Sequence, residues 1–403
     1  MQQTCNRKEK VLMLASVASM IDQFNLPNIR LLLGMGYEVH VACNFTEGNT
    51  CDEKRLQALK KKLAAMHVVW HQWDCPRSVS SFLQCSRAYR QLCGLMEKQG
   101  FSWIHCHSPV GGALARLAGH RYGIRVMYTA HGFHFYRRAP LRNWLLFYPA
   151  EKLLAYWTDV LITVNREDYG FARRYLAAGG VCRIPGVGMD PERIRAVGRQ
   201  VDPAAVRRKY GIPDKALLLL SVGELSRRKN HGIVLRALAL LKTGGLAHGK
   251  DVYYLVCGQG PLENQLVRRA CKYGIDARVR LAGFVDDVAA VYRAADIFVF
   301  PSLQEGMPVA LMEAMAAGMP CVVSDIRGNR ELIGREELRF APGNPVELAQ
   351  RLACLIRCTR ERREAYGVRN REKVRAYSLA NVQKRMERIY TQFRDGMPAD
   401  RLT

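Results

Sequence analysis

The sequence predicts an α/β chain of two domains, each laid on parallel strands. Three observations carry this. The 403 residues divide naturally into two units of about 200. Two strand-type runs, Lys10–Ala15 (KVLMLA) and Ala216–Val222 (ALLLLSV), each open a series of alternating strand and helix patterns. Between them, Ile184–Pro191 (IPGVGMDP) gathers glycine and proline, the composition of a hinge.

An apolar share of 49% is ample for two packed cores. The 13 cysteines form no CxxC pair and no secreted-scaffold spacing, so they read as reduced thiols of a cytosolic protein. Met1–Lys10 is polar and Val11–Ala15 is too short for the apolar part of a signal peptide. No run reaches the ~18 apolar residues of a membrane-spanning helix. The 61 basic residues against 36 acidic ones give a net charge of +25. Nucleic acid, an anionic membrane face or phosphorylated substrates would each account for it.

In the first half, Lys10–Ala15 is a buried strand, SVASMIDQF a loop entering a helix, Leu26–Leu33 a helix, and Tyr37–Ala42 a second strand. This is a Rossmann-like start without G-x-G-x-x-G, which disfavours a dinucleotide-binding dehydrogenase. Lys54–Lys62 is basic and amphipathic, either a solvated surface helix or a membrane-facing one. His67–Trp73 and Trp103–Cys106 read as strands, with a helix over roughly Ser80–Lys98 between them. His105 and His107 have a spacing that suits a metal, but no third ligand at metal spacing accompanies them. Ser108-Pro-Val-Gly-Gly then turns into a helix. Arg125–Thr129 is a strand, and AHGFHFYR at its carboxyl end offers His131 and His134 where an α/β sheet places its ligands. Arg137–Trp157 is rich in aromatics, follows a basic cluster and contains Pro149. It either lies on a bilayer with Trp144 and Phe147 at headgroup depth, or packs as a helix in its domain. Asp159–Val164 is a strand and Arg166–Ala178 a helix.

In the second half, GELSRRKNHG follows the strand Ala216–Val222 and leads into a helix from Gly232. Tyr253–Val256 is a strand, and Gly258 and Gly260 after it allow close backbone approach to a ligand. Another strand runs over Val279–Phe284, and Asp286 and Asp287 cap the next helix. Asp296–Glu331 then reads strand (Ile297–Phe300), loop (PSLQEG), helix (Val309–Ala317, with Pro308 at its start) and strand (Cys321–Ser324). Free N–H groups of Gly306, Met307 and Val309 at that helix start suit an anion such as a diphosphate. Glu305 and Glu313, eight positions apart, can each accept two hydrogen bonds from a vicinal diol. The pair suits a sugar–diphosphate–nucleoside, but alone it fits equally a helix-end charge facing solvent. Helices fill Arg351–Arg375, and a terminal helix spans Leu379–Phe393.

FPSLQEGMPVALMEAMAAGMP resembles the Glu-x7-Glu motif of the retaining glycosyltransferases of family 4, and the resemblance covers nearly the whole chain. It implies the GT-B fold, α/β with two Rossmann-like parallel-sheet domains facing a central cleft. It also implies that the terminal helix crosses back to the first domain. The domains would be 1–186, with 378–403 packing back on it, and a donor-binding domain 187–377. By this resemblance Glu305 contacts the donor sugar, Glu313 the ribose, and Phe284 marks backbone beside the nucleobase. Lys229 matches the family's diphosphate-binding lysine. Glu224 stands where the family has arginine, and Arg228 is positioned to supply that charge. His131 corresponds to a histidine near the anomeric carbon and the sugar's 6-hydroxyl. Ser19 and Met20, which replace commoner glycines, and His134 fall on the acceptor side.

The resemblance is nearest to bacterial enzymes of capsule, exopolysaccharide or O-antigen synthesis, on ASVASMIDQFNLPNI, TAHGFHFYRRAP and IPGVGMD. It implies transfer of a hexosyl or N-acetylhexosaminyl group from a UDP-sugar to a polyprenyl-diphosphate-linked saccharide. The nucleotide-sugar is a substrate, and no cofactor or metal is implied. No D-x-D occurs to clamp a metal–diphosphate. The implied place is the cytoplasmic face of the plasma membrane, bound to its anionic surface. A related enzyme with a soluble acceptor is the nearer alternative. A nucleic-acid-binding protein rests on charge alone and lacks any helix-turn-helix, zinc-finger or RNA-recognition signature.

Overall fold

A computed structural model of the chain describes residues 8–49, 53–77, 82–245 and 249–396. The chain divides into two compact units, one of Met1–Pro185 with Val382–Thr403, the other of Gly186–Asn381. The expected helix start at Ser80 and the last residues of the expected 378–403 segment lie outside the described residues.

The first unit is built on seven parallel strands: β1 (Lys10–Val17), β2 (Glu38–Asn44), β3 (Val69–Gln72), β4 (Trp103–His107), β5 (Arg125–Ala130), β6 (Val160–Thr163) and β7 (Val181–Arg183). Their order is β3-β2-β1-β4-β5-β6-β7. A parallel sheet covered by helices on both faces buries both sides of its strands, which is why β1 is a continuous apolar run. Val11, Leu12, Met13 and Leu14 are fully buried there. The order reverses between β1 and β4, so the carboxyl ends of those strands form the topological switch point where such sheets bind ligands. The terminal helix Leu379–Arg394 closes this unit: from Val382 onward it belongs to it, and the rings of Tyr390 and Phe393 lie 5.7 and 5.2 Å from that of Trp103 in β4.

The second unit has six parallel strands: β8 (Leu217–Val222), β9 (Val252–Cys257), β10 (Val279–Leu281), β11 (Ile297–Phe300), β12 (Cys321–Ser324) and β13 (Arg339–Phe340), in the order β10-β9-β8-β11-β12-β13. Its switch point falls between β8 and β11. The two passages of chain that join the units are tied together at its edge. Leu379 N–H donates to Met189 O at 2.7 Å, and Gly188, with φ of +80°, admits the crossing because a Cβ there would sit 2.8 Å from Leu379 Cα. Ile297–Phe300 and Cys321–Ser324 form as the sequence predicts, while β7 and β13, of three and two residues, are edge strands too short to carry a pattern.

Candidate active site

In the second unit, the carboxyl ends of β8, β9 and β11 bring together most of the residues singled out above. Glu305 follows β11, and its side chain is only 10% exposed. Lys229 Nζ meets its Oε1 at 2.7 Å and Arg228 Nη1 meets the same oxygen at 3.0 Å. Burial raises the pKa of such a carboxyl, but the two cations overcome it and hold Glu305 below the usual carboxylate range. Lys229 is braced from the other side by the Phe300 ring, 5.0 Å from Nζ. Arg228 thus stands on Glu305 and places a second positive charge there.

The helix Val309–Ala316 begins beside this cluster. Pro308 is its N-cap and no side chain caps it. Gly306 and Met307 are buried at that start. On the same helix Glu313 accepts a hydrogen bond from Tyr292 Oη at 3.1 Å. Burial pushes the Glu313 carboxyl up to about 7, against the hydrogen bond from Tyr292 and the charge of Arg193, with Asp287 adding to the rise. Neither glutamate is a solvated helix-end charge. Phe284 is 50% exposed beside Gly283, whose carbonyl accepts from Gly258 N–H at 2.7 Å.

Gly258 also has a part within the fold itself. A Cβ there, at φ of +152°, would fall 2.0 Å from Gly223 O. The glycine lets the loops after β8 and β9 press backbone against backbone, which fixes the turn that carries Lys229.

In the first unit, His131 follows β5 and is partly exposed. Its Nε2 lies 3.1 Å from His107 Nδ1, and His107 Nε2 lies 3.2 Å from Met13 Sδ. His105 is fully buried between Tyr390 Oη and Thr129 Oγ1, each 2.8 Å away. Burial lowers the pKa of all three imidazoles, to about 3 for His105 and about 4 for His131. Among the described residues no group of three or more His, Cys, Asp and Glu could hold a metal. Ser19 donates its N–H to Asn49 Oδ1 at 3.0 Å and sits with Met20 in a short helical turn that continues as a π turn over Ile21–Asn25. His134 packs its ring 4.6 Å from Phe147 and accepts from Asn143 on its carbonyl.

Family comparison decides the class. Residues 29–203 match the family described as Glycosyltransferase Family 4, and residues 203–373 match Glycosyl transferases group 1. The Bacillus subtilis (strain 168) protein carrying the name glycosyltransferase EpsD is 34% identical over 96% of this chain and 97% of its own length. The chain belongs to glycosyltransferase family 4. An Escherichia coli family relative, named as UDP-Gal:alpha-D-GlcNAc-diphosphoundecaprenol alpha-1,3-galactosyltransferase, is 29% identical over 64% of this chain and 66% of its own. Among solved structures, Anabaena HepE in complex with UDP-glucose superposes with a TM-score of 0.73, 16% identity and coverage of 95% of this chain and 99% of that one. The fold is GT-B, with its two parallel-sheet Rossmann-like domains.

Two residues of this family 4 chain escape sequence reading. Tyr292, on the helix Ala289–Ala294, reaches Glu313 from 21 positions away. Arg327 is buried and donates from Nε to Glu305 O at 3.2 Å, holding the loop from behind. Neither has a local signature; only the sheet order joins them to the loop.

For the two basic segments the structure selects between the alternatives that the sequence leaves open. In the helix Glu53–Ala65, Arg55 and Lys62 face Asp22 at 2.6 and 3.9 Å, and Lys60 lies over the Trp70 ring at 4.6 Å. Only part of that cluster is left for a partner. In the helix Leu141–Ala155, Trp144 and Tyr148 turn inward, with ring centroids 5.6 and 5.5 Å from that of Phe135. Trp144 and Phe147 therefore pack in their domain and are not the rings that meet a bilayer. At 3.6 residues per turn the opposite side carries Leu141, Leu145, Leu146, Pro149 and Leu153, all exposed, with Arg142 and Lys152 among them. The one acidic residue of this helix, Glu151, is buried against Arg116. No helix among the described residues is long and apolar enough to cross a membrane.

Proposed function

We propose that the chain is a retaining, metal-independent glycosyltransferase that moves a hexosyl or N-acetylhexosaminyl group from a UDP-sugar to a polyprenyl-diphosphate-linked saccharide. The observation that carries this is Glu305 held between Lys229 and Arg228 beside an uncapped helix start. A carboxylate takes sugar hydroxyls, while two cations and free helix N–H groups take a diphosphate. As the bond from the anomeric carbon to the diphosphate oxygen breaks, both electrons leave with the phosphate. Lys229, Arg228 and the helix start stabilise that charge, a preorganised electrostatic effect. The acceptor hydroxyl attacks from the same face, and the departing phosphate oxygen takes its proton, so the anomeric configuration is kept. Glu305 orients the sugar, Glu313 holds the ribose, and His131 keeps the role that the family resemblance implies for it, a contact to the reacting end of the sugar.

The E. coli relative's name supports a UDP-sugar donor and a lipid diphosphate acceptor. The exposed leucine face of Leu141–Ala155 supports docking on a membrane. An amphipathic helix with apolar residues outward and arginines beside them lies in the interface, and each Lys or Arg near an anionic surface adds ~1 kcal/mol. The enzyme works, on this reading, at the inner face of the plasma membrane.

The test supplies UDP-glucose, UDP-galactose and their N-acetylhexosamine counterparts, each with a polyprenyl-diphosphate-linked saccharide in vesicles. The expected product is one sugar longer, with the donor's anomeric configuration by NMR. An inverted linkage, or transfer only to a soluble sugar phosphate, contradicts the reading.

A further inference from the structure

At the carboxyl ends of β1, β4 and β5, three side chains in contact admit a single placement of protons. Met13 Sδ lies 3.2 Å from His107 Nε2, and His107 Nδ1 lies 3.1 Å from His131 Nε2. A thioether sulfur accepts a hydrogen bond and cannot donate one. His107 Nε2 must therefore carry its hydrogen, since a bare nitrogen there would set two lone pairs against each other. Met13 is fully buried and His107 is 1% exposed, and the ring next to His107 is another histidine, His105, with centroids 4.3 Å apart. A second proton on His107 would be a buried charge with no counter-ion. Burial accordingly holds the His107 pKa well below the ordinary value. Its Nδ1 is then bare and accepts, so His131 Nε2 carries the hydrogen and donates.

His131 is also neutral near pH 7, because burial lowers its pKa to about 4. With its one proton on Nε2, the lone pair of Nδ1 is uncommitted: among the described residues no hydrogen bond reaches that atom. His105 imposes no such direction, since both its nitrogens face hydroxyls that can donate or accept.

We infer that Met13 and His107 are positioning residues that lock His131 as its Nε2–H tautomer and reserve its Nδ1 to accept a hydrogen bond from a sugar hydroxyl. The hydroxyl part rests on the reading of His131 as a contact to the donor sugar. It has a consequence for specificity. A bare ring nitrogen welcomes a neutral hydroxyl and repels a carboxylate, so a hexose donor is favoured over the corresponding hexuronic acid at that position.

The experiment uses the full chain labelled with 15N-histidine, and reads which ring nitrogens are protonated from long-range 15N–1H correlations at pH 7.5. His107→Gln and His131→Gln assign the two rings. The expected spectrum shows His107 and His131 both protonated on Nε2 alone. A His131 protonated on Nδ1, or on both nitrogens, overturns the inference whatever the kinetics. Met13→Leu preserves volume and removes the sulfur acceptor, so the fold is kept. It is expected to give a mixture of His131 tautomers and to lower kcat roughly three- to ten-fold with little change in KM for the donor. An unchanged tautomer in Met13→Leu also overturns the inference. Comparison of UDP-glucose with UDP-glucuronic acid should favour the former by at least about ten-fold in kcat/KM. Wild-type turnover in His131→Gln, with the expected tautomer in the spectrum, removes the sugar contact and the hydroxyl selection while leaving the proton placement intact.

Discussion

Lys229 Nζ and Glu305 Oε1 are 2.7 Å apart, and the carboxylate they share with Arg228 is almost wholly buried. Breaking such a pair from one side leaves the other charge uncompensated. Lys229→Met removes the buried cation from both Glu305 and the departing diphosphate. Turnover should fall about 10²–10³-fold, the loss seen when one preorganised donor is removed from a developing charge. Arg228→Ala should cost less, because its side chain is 45% exposed and screened by solvent. Rates of nucleoside diphosphate release from the two variants check the order; a larger loss in Arg228→Ala would reverse the assignment of the principal cation.

Glu313 makes donor binding depend on pH near neutrality. Burial raises its carboxyl to about 7, and only the ionised form accepts from both hydroxyls of a ribose. Below that pH the protonated form prevails, so affinity should weaken as pH falls from 8 to 6 and strengthen as it rises. The Tyr292 hydrogen bond lowers this pKa, so Tyr292→Phe should move the transition to higher pH. Glu313→Ala should abolish the transition and weaken binding by roughly 1.5–3 kcal/mol. Calorimetric titration with UDP across this range decides it; a flat profile in the wild type would remove Glu313 from the ribose.

Activity should survive chelation. The proposed charge stabilisation comes from Lys229, Arg228 and the helix start, and no step needs a divalent ion. Turnover measured in excess EDTA should match the untreated enzyme. A loss restored by Mg²⁺ or Mn²⁺ would contradict this.

The membrane face should follow the exposed leucines and not the inward aromatics. Leu145→Glu with Leu146→Glu should weaken flotation with anionic liposomes, including the part that resists salt. Charge reversal at Arg137, Arg138 and Arg142 should weaken the salt-sensitive part. Replacing Lys60, Lys61 and Lys62 should do less, since Lys60 and Lys62 already have partners in their own unit. Equal binding to neutral and anionic lipids would remove the charge contribution.

What was legible in the sequence follows from where the information is local. The strands Ile297–Phe300 and Cys321–Ser324, the helix after Pro308 and the Glu305–Glu313 spacing all lie in one short segment, so periodicity and caps were enough to place them. The Lys229–Glu305 pair joins positions 76 apart, and the resemblance supplied it where spacing could not. Tyr292, Arg327 and the Met13–His107–His131 contacts had neither a local pattern nor a motif. They depend on the order of strands in each sheet, which brings β1 beside β4 and β8 beside β11. The placement of Trp144 and Phe147 stayed open because an amphipathic helix with two apolar sides gives no periodic sign of which side faces in; the rings around Phe135 settle that only in three dimensions.

The most direct test of the donor site is release of free nucleoside diphosphate from a panel of nucleotide sugars, compared between the wild type and Glu305→Ala with acceptor present. The account predicts release by the wild type from at least one UDP-sugar, and a loss of turnover of at least about 10²-fold in Glu305→Ala. Equal release by both, or none from any nucleotide sugar, would contradict it.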